Sequence, residues 1–187
     1  MDAPSPRLVA EQHRSATAAL TAVIDAVEPD AWDRPSPCQD WSARDVLGHL
    51  IETERSFLAS RDVELGPAPE LSSDPAAAWR RHVDEITPIV TSEPFLATPY
   101  EGYFGPTTAG ETWQRFYVFD MVVHRWDLAT ATGLDSPFSD DEIDRIEAAT
   151  AALGDNIYME GVCRAGVEAP AGADRQTKVL ATLGRSA

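Results

Sequence analysis

The sequence predicts an all-α protein that is built around a bundle of four main helices. Apolar residues recur at helical spacing in four stretches, roughly residues 7–27, 42–60, 75–91 and 112–132, and segments rich in Pro or Gly separate them. One helix cannot bury its own apolar stripe, so antiparallel packing around a shared core is the simplest solution. The length of 187 residues suits one domain, and we expect residues 1–187 to form it.

The first helix has recognisable ends. Ser5, or Asp2 earlier, is placed to cap its start, and Pro29 closes it. The connection that follows contains three prolines and should not be helical. Its two tryptophans, Trp32 and Trp41, are expected to anchor the connection on the core.

The second and third helices also carry start signals. Ser42 is an N-cap with Asp45 three residues later, a variant of the capping box. Gly48 lies inside the second helix at a cost in helix stability, which indicates close approach of another backbone or of a ligand. Pro75 is placed at the first position of the third helix, and Pro88 is expected to kink or end it.

The connection to the fourth helix is long and aromatic. Residues 95–110 read FLATPYEGYFGPTTAG, which predicts a short β-hairpin or an irregular lid, and their length lets the fourth helix cross over. Gly133 is the expected C-cap of that helix. Two shorter C-terminal helices are predicted at about residues 139–153 and 175–183, with an irregular stretch at 154–174 between them.

Composition and charge exclude several classes of partner. The formal net charge of −16, without a basic cluster, argues against nucleic acid and against anionic membrane surfaces. Neither a run of roughly 20 apolar residues nor a signal peptide is visible, so we expect a cytoplasmic protein. Lys178 is the only Lys, and the Arg, Ala and Asp content is typical of a GC-rich bacterium. Cys38 and Cys163 lack metal-ligand spacing and are expected to be reduced thiols.

The stretch FDMVVHRWDL contains the most informative pair of residues. Asp120 and His124 are four apart on a helix-compatible run, so they lie on one face of a helix. The neighbours on that face are mostly apolar, and a buried carboxylate needs a partner or a metal. His49, on the second helix, is the third candidate ligand, and Glu52 competes with Asp120 as the oxygen donor. Two His and one carboxylate suit a catalytic zinc or a non-haem iron.

Other polar residues have weaker functional readings. Cys38 is disfavoured as a nucleophile because no local base is visible. His82 is disfavoured as a ligand because its neighbours look exposed. Arg44, Arg125 and the tyrosines of residues 100–104 are candidates for substrate contacts, although surface ion pairs and loop packing explain each of them more simply.

Two segments resemble a known family. PCQDWSARDVLGHL (37–50) and FDMVVHRWDLATATG (119–133) are similar to the metal-binding domain of mycothiol-dependent maleylpyruvate isomerases, part of the DinB-like four-helix bundle superfamily. The ending APAGADRQTKVLATLGRSA looks like that of small actinobacterial members. The resemblance implies a DinB-like bundle with a crossover connection and extra short C-terminal helices. It also implies metal ligands at His49, Asp120 and His124.

The resemblance has two departures. The isomerase carries Glu at the position of Asp120, which is one methylene shorter, and it has a C-terminal domain for which this chain is too short. It therefore implies the fold and the metal more strongly than it implies maleylpyruvate isomerisation.

Three functional hypotheses follow. The first is a metal-dependent enzyme, with zinc as the expected metal, that acts on a small electrophile with a low-molecular-weight thiol as a transferase, isomerase or hydrolase; mycothiol is the expected cosubstrate in an actinobacterium. The site of such an enzyme should open to solvent and border residues 100–104. The protein could act as a monomer or as a homodimer. The second is a non-catalytic metal- or ligand-binding module, which a closed fourth ligand such as Glu52 would favour. The third is a bundle without metal, in which Asp120 only hydrogen-bonds His124.

Overall fold

Helices form nearly all of the regular structure in the computed structural model, which describes residues 4–158 and 165–186. Cys163 lies outside these ranges. In chain order the elements are α1 (Pro6–Ala26), α2 (Ala43–Ala59), α3 (Pro75–Val90), α4 (Glu93–Leu96), β1 (Pro99–Gly102), β2 (Gly105–Thr108), α5 (Ala109–Thr112), a π-helical segment (Trp113–Val118), α6 (Phe119–Thr132), α7 (Asp140–Leu153), a 3-10 turn (Gly154–Tyr158) and α8 (Arg175–Thr182). The all-α prediction is confirmed, since the strands described form only one antiparallel hairpin.

The helix ends follow local sequence signals. Ser5 caps α1 by accepting a hydrogen bond from the Leu8 N–H. The predicted capping box of α2 is complete, because the Ser42 hydroxyl accepts from the Asp45 N–H and the Asp45 carboxylate accepts from the Ser42 N–H. Gly133 ends α6 with φ of 78°, a left-handed conformation that glycine adopts without strain.

The bundle has two diagonal crossings. α1 packs on α3 and α6, and α2 packs on the same two helices, so α1 faces α2 across the bundle and α3 faces α6. The predicted crossing into the fourth helix is present, and the segment that carries it holds α4 and the hairpin. A second crossing, over residues 27–42, was not predicted. Trp32 anchors that connection as expected, with only 4% of its surface exposed.

The fourth helix of the bundle is composite. The predicted helix over 112–132 is present, but it starts at Ala109 and contains the π-helical segment Trp113–Val118. A π turn holds one more residue than an α turn, so it changes which residues share a face before and after it. The indole of Trp113, which is fully buried there, donates a hydrogen bond of 3.3 Å to Nδ1 of His13 on α1.

Two glycines mark close approaches between elements. A Cβ added at Gly110 would lie 2.8 Å from the carbonyl oxygen of Leu96, so only glycine lets α5 and α4 pack. At Gly48 the close neighbour is the side chain of Leu71, at 3.3 Å, and not the backbone or ligand that was predicted there. In the part of the chain that the structure describes, no helix combines the length and the apolar character needed to cross a bilayer.

Candidate metal centre

Two neighbouring helices bring the three predicted ligands together. His49 lies on α2, and Asp120 and His124 lie one turn apart on α6, which packs directly against α2. One ligand atom from each of the three side chains can be chosen so that all lie within 4.8 Å of one another. His49 Nε2 is 3.6 Å from Asp120 Oδ2, and the rings of His49 and His124 meet edge-on with centroids 5.2 Å apart.

This donor set fits a divalent metal ion. Two ligands held at about 2.1 Å by a tetrahedral zinc ion are about 3.4 Å apart, close to the 3.6 Å between His49 and Asp120. Two imidazoles and one carboxylate are also the protein ligands of many catalytic zinc sites. The metal itself remains a prediction, which rests on the convergence of these three side chains.

The centre is reachable from solvent at one edge. The side chains of His49 and Asp120 are 24% and 33% exposed, whereas that of His124 is 9% exposed. Trp41 covers part of the site, because its ring lies 4.9 Å from that of His49 and 6.2 Å from that of His124. The half-buried Trp41 therefore packs on the two histidines, as well as closing the connection in which it lies.

A buried carboxylate that sequence analysis missed holds His124. Asp127 Oδ2 lies 2.9 Å from His124 Nδ1, and Asp127 is fully buried. A metal-ligating histidine commonly donates its second ring N–H to a carboxylate, which fixes the tautomer and the ring orientation. With Nδ1 engaged in this way, Nε2 is left as the ligating atom of His124. The signal in the sequence was the spacing of three residues between His124 and Asp127, which shares a helical face.

Arg185 anchors this carboxylate from the C-terminal part of the chain. Its Nε donates to Asp127 Oδ1 at 3.0 Å, and one terminal nitrogen donates to Oδ2 at 2.7 Å. Burial alone would raise the pKa of Asp127, but the hydrogen bonds from His124 and Arg185 outweigh burial and hold that pKa well below its usual range. Asp127 is therefore a charged, fully paired support for His124.

Cys38 lies against the same support, contrary to the expectation that no base is near it. Its Sγ is 3.4 Å from Asp127 Oδ2 and 3.9 Å from His124 Nδ1. Burial, followed by the charge of Asp127, raises the pKa of the Cys38 thiol to about 12. Cys38, His124 and Asp127 also form a second group with ligand spacing, but Arg185 already holds both oxygens of Asp127. Cys38 is thus a protonated neighbour of the centre.

Other predicted residues lie away from the centre. Glu52 is exposed and belongs to neither of the ligand groups found among the described residues. The buried acid of α2 is Glu54, whose Oε2 lies 2.7 Å from His82 Nε2. His82 is fully buried, so its expected exposed setting is wrong, although it is not in a ligand group of the described residues either. Burial raises the pKa of Glu54 against the lowering effect of His82.

The candidate substrate contacts mostly have structural partners. Arg44 pairs with Asp33 at 2.9 Å. Arg125 is buried and makes a two-pronged ion pair with Glu142, with hydrogen bonds of 2.7 and 2.9 Å. Their simpler readings as ion-pair residues therefore account for both, although the pair of Arg125 is internal and not on the surface.

The hairpin borders a cavity beside the metal centre. Tyr100 and Tyr103 line a cavity of about 440 Å³ together with Tyr117, which lies three residues before Asp120. The three metal-ligand candidates are not among the residues that line this cavity. Whether it opens onto the metal centre, as predicted for a catalytic site, stays a prediction.

Comparison with known families identifies the family of the chain. The family model described as "Mycothiol maleylpyruvate isomerase N-terminal domain" matches residues 13–129, well over half of the chain. The chain belongs to this family. The matched span of this family member includes His49, Asp120, His124 and Asp127, but not Arg185. The predicted resemblance is thereby confirmed, and with it the DinB-like helical fold.

Two curated relatives of this family member carry titles that give no function. Two proteins, one from each of two strains of Mycobacterium tuberculosis and both titled as uncharacterized, are 26% identical to the chain over 154 residues. The alignment covers 80% of this chain and 81% of each relative. No solved structure matches the chain significantly.

Proposed function

We propose that this family member is a zinc-dependent enzyme that acts on a small electrophile with the help of a low-molecular-weight thiol, either as a transferase, which leaves the thiol on the product, or as an isomerase, which releases it again. The observation that carries the proposal is the convergence of His49, Asp120 and His124 within 4.8 Å, at a partly exposed edge. The family description names mycothiol, which we propose as the thiol cosubstrate.

The residues of the site have three roles: ligation of the metal, orientation of His124 and shielding of the imidazoles. His49, Asp120 and His124 would hold the ion, and three protein ligands leave a position for an exogenous group. A bound zinc ion would supply a Lewis acid that lowers the pKa of a coordinated thiol. Asp127 and Arg185 keep the His124 ring in one orientation. Trp41 shields the two imidazoles from water on one side.

The alternative is a metal-binding module without catalysis. A structural site is closed by a fourth protein ligand, and its binding energy is folding energy. Glu52, the residue suggested for that role, is exposed on α2. The exposure of His49 and Asp120 favours the enzyme over the module. Removal of metal therefore distinguishes the two functions by its effect on stability.

The test combines metal binding, stability and turnover in Asp120→Ala. We expect wild-type protein to bind one zinc ion, and Asp120→Ala to bind it at least roughly tenfold more weakly, since one of three ligands is lost. Glu52→Ala, an exposed acid on the facing helix, is the matched control and should bind as wild type does. Zinc affinity is measured by competition with a chromophoric chelator.

The outcome for catalysis is read separately. We expect a chelator to abolish thiol-dependent turnover of small electrophiles with mycothiol while lowering the melting temperature only slightly. A large chelator-induced fall in melting temperature, with no turnover of any screened electrophile, would refute the enzyme and leave the metal-binding module. Equal zinc affinities of the wild-type and Asp120→Ala proteins would refute the proposed metal centre.

A further inference from the structure

The cavity beside the hairpin contains two arginines without acidic partners. Arg61, at the end of α2, and Arg115, in the π-helical segment, both line it. Within residues 4–158 and 165–186, neither guanidinium forms an ion pair. In a chain of net charge −16, these two guanidinium groups give the lining of the cavity a local positive charge.

Arg61 has a buried donor with no acceptor. Its Nε is shielded from solvent and has no hydrogen-bond partner among the described residues. A buried unpaired N–H is costly, and native proteins leave few of them. The Arg61 guanidinium stacks on the ring of Tyr100, 4.1 Å from its centroid, which satisfies the face of the guanidinium but not the N–H groups at its edge. Because Nε is shielded, a ligand in the cavity would reach the terminal nitrogens of Arg61, which form no hydrogen bond with the described residues.

The neighbouring polar side chains have partners other than the terminal nitrogens of Arg61. The Tyr100 hydroxyl is 2.6 Å from Thr112 Oγ1, so the ring under Arg61 is locked in place. The only carboxylate in the described lining is that of Glu111, and it accepts hydrogen bonds from the Thr108 N–H and the Thr107 hydroxyl at 2.9 and 3.1 Å. Glu111 is therefore engaged in capping α5 and does not neutralise either arginine.

The lining also contains several aromatic rings. Phe57 and Tyr117 stack with centroids 4.9 Å apart on one side of the cavity. Tyr103 and Phe104, at the hairpin tip, lie at its mouth with 82% and 51% of their surfaces exposed. Large exposed aromatic side chains beside a cavity are typical of a ligand site, because they can cover a bound planar group.

We propose that this cavity binds a small planar organic anion. Its carboxylate or phosphate oxygens would accept hydrogen bonds from Arg61 and Arg115, since the guanidinium fork matches both groups. Its apolar body would lie among the rings of Phe57, Tyr103 and Tyr117. Binding in this cavity requires neither the metal nor a thiol, so the proposal goes beyond the proposed function and stands apart from it.

The experiment uses the full-length protein treated with chelator, so that metal binding cannot contribute. Isothermal titration calorimetry is run with benzoate, with phenyl phosphate and with the neutral benzamide. We expect at least one anion to bind at millimolar concentration and benzamide to bind roughly tenfold more weakly or worse, because a charge-assisted bond is lost. Tighter binding of phenyl phosphate would assign a phosphate ligand, and tighter binding of benzoate a carboxylate.

Matched variants locate the binding. Arg61→Gln and Arg115→Gln should each weaken the preferred anion severalfold or more, whereas Arg81→Gln, which removes the same charge from an exposed position on α3, should not. Arg115 and Tyr103 are exposed, so Arg115→Gln and Tyr103→Ala keep the test valid if Arg61→Gln does not fold. Absence of binding by both anions, equal binding of benzamide, or the same loss in Arg81→Gln would overturn the proposal.

Discussion

The carboxylate of Asp127 accepts hydrogen bonds from several polar groups near the candidate metal centre. It contacts His124, Cys38 and Arg185, and all of these contacts lie in a buried region. Such a fully paired buried charge is tolerated because each oxygen has donors, and loss of one partner is costly. We therefore expect metal binding at the candidate centre to depend on Asp127, although Asp127 is not one of the three proposed ligands.

A substitution at this carboxylate tests that dependence. We expect Asp127→Asn to lower zinc affinity by roughly 10- to 100-fold, because the histidine loses the partner that fixes its ring. It should also destabilise the fold, since Arg185 then lacks its counter-charge. Zinc affinity is again measured by chelator competition. Asp135→Asn, at an exposed position, is the control, and equal affinities of the two variants would contradict the role given to Asp127.

His13 gives a separate expectation about pH. Burial, with smaller effects of Arg14 and His82, lowers the pKa of His13 from 6.5 to about 4. Its Nδ1 accepts a hydrogen bond from the Trp113 indole, so the folded protein holds the neutral ring. Between pH 6.5 and 4 the unfolded chain binds a proton that the folded chain does not, and stability falls as pH falls.

The size of this effect follows from the pKa shift. We expect the free energy of unfolding to lose up to roughly 3 kcal/mol through His13 as pH falls across this window. His13→Gln, which cannot titrate, should lose correspondingly less, although it is less stable at neutral pH. Urea unfolding at several pH values measures both proteins. Parallel pH dependence of wild type and variant would show that His13 is not the group responsible.

At the scale of elements, the two close glycine contacts make opposite predictions. We expect Gly110→Ala to destabilise the protein by about 1–3 kcal/mol, because the new Cβ would meet the Leu96 carbonyl oxygen at 2.8 Å in a backbone that cannot yield. Gly48→Ala is the matched control, since its Cβ meets only the end of the Leu71 side chain and the helix gains about 1 kcal/mol in propensity.

Thermal and urea unfolding measure the stability of both variants relative to wild type. A neutral or stabilising Gly48→Ala beside a destabilising Gly110→Ala is the expected result. Equal effects of the two substitutions would mean that the contact between α4 and α5 does not constrain the hairpin segment.

The elements also separate what a sequence can predict from what it cannot. Helix ends at Ser42 and Gly133 were predictable because the caps are local hydrogen bonds and local backbone conformations. The spacing of Asp120 and His124 placed both on one face for the same reason. The π-helical segment was not predictable, because apolar periodicity does not reveal one extra residue in a turn. That residue alters how Arg115 and Tyr117 are oriented relative to Asp120.

Across the whole molecule, the metal centre draws on three distant parts of the chain. The ligands come from α2 and α6, Trp41 and Cys38 come from the connection between α1 and α2, and Arg185 comes from beyond α8. Periodicity could not connect these parts; ligand chemistry suggested His49 as the partner of Asp120 and His124, and the family resemblance supported it. Cys38 and Arg185 had no such guide, so the neighbours of Asp127 were found only in the structure.

The contact between Arg185 and the Cys38 sulfur has a consequence for the order of events in folding. It joins positions 147 residues apart, and the contact of Arg185 with Asp127 joins positions 58 apart. Closing long loops costs entropy, so contacts of this kind form after those between near neighbours in sequence. We therefore expect the contact of Arg185 with Cys38 to form after the packing of α1 on the composite fourth helix, in which the contact of His13 with Trp113 joins positions 100 apart. During refolding, the thiol of Cys38 would stay open to modifying reagents after these two helices have packed.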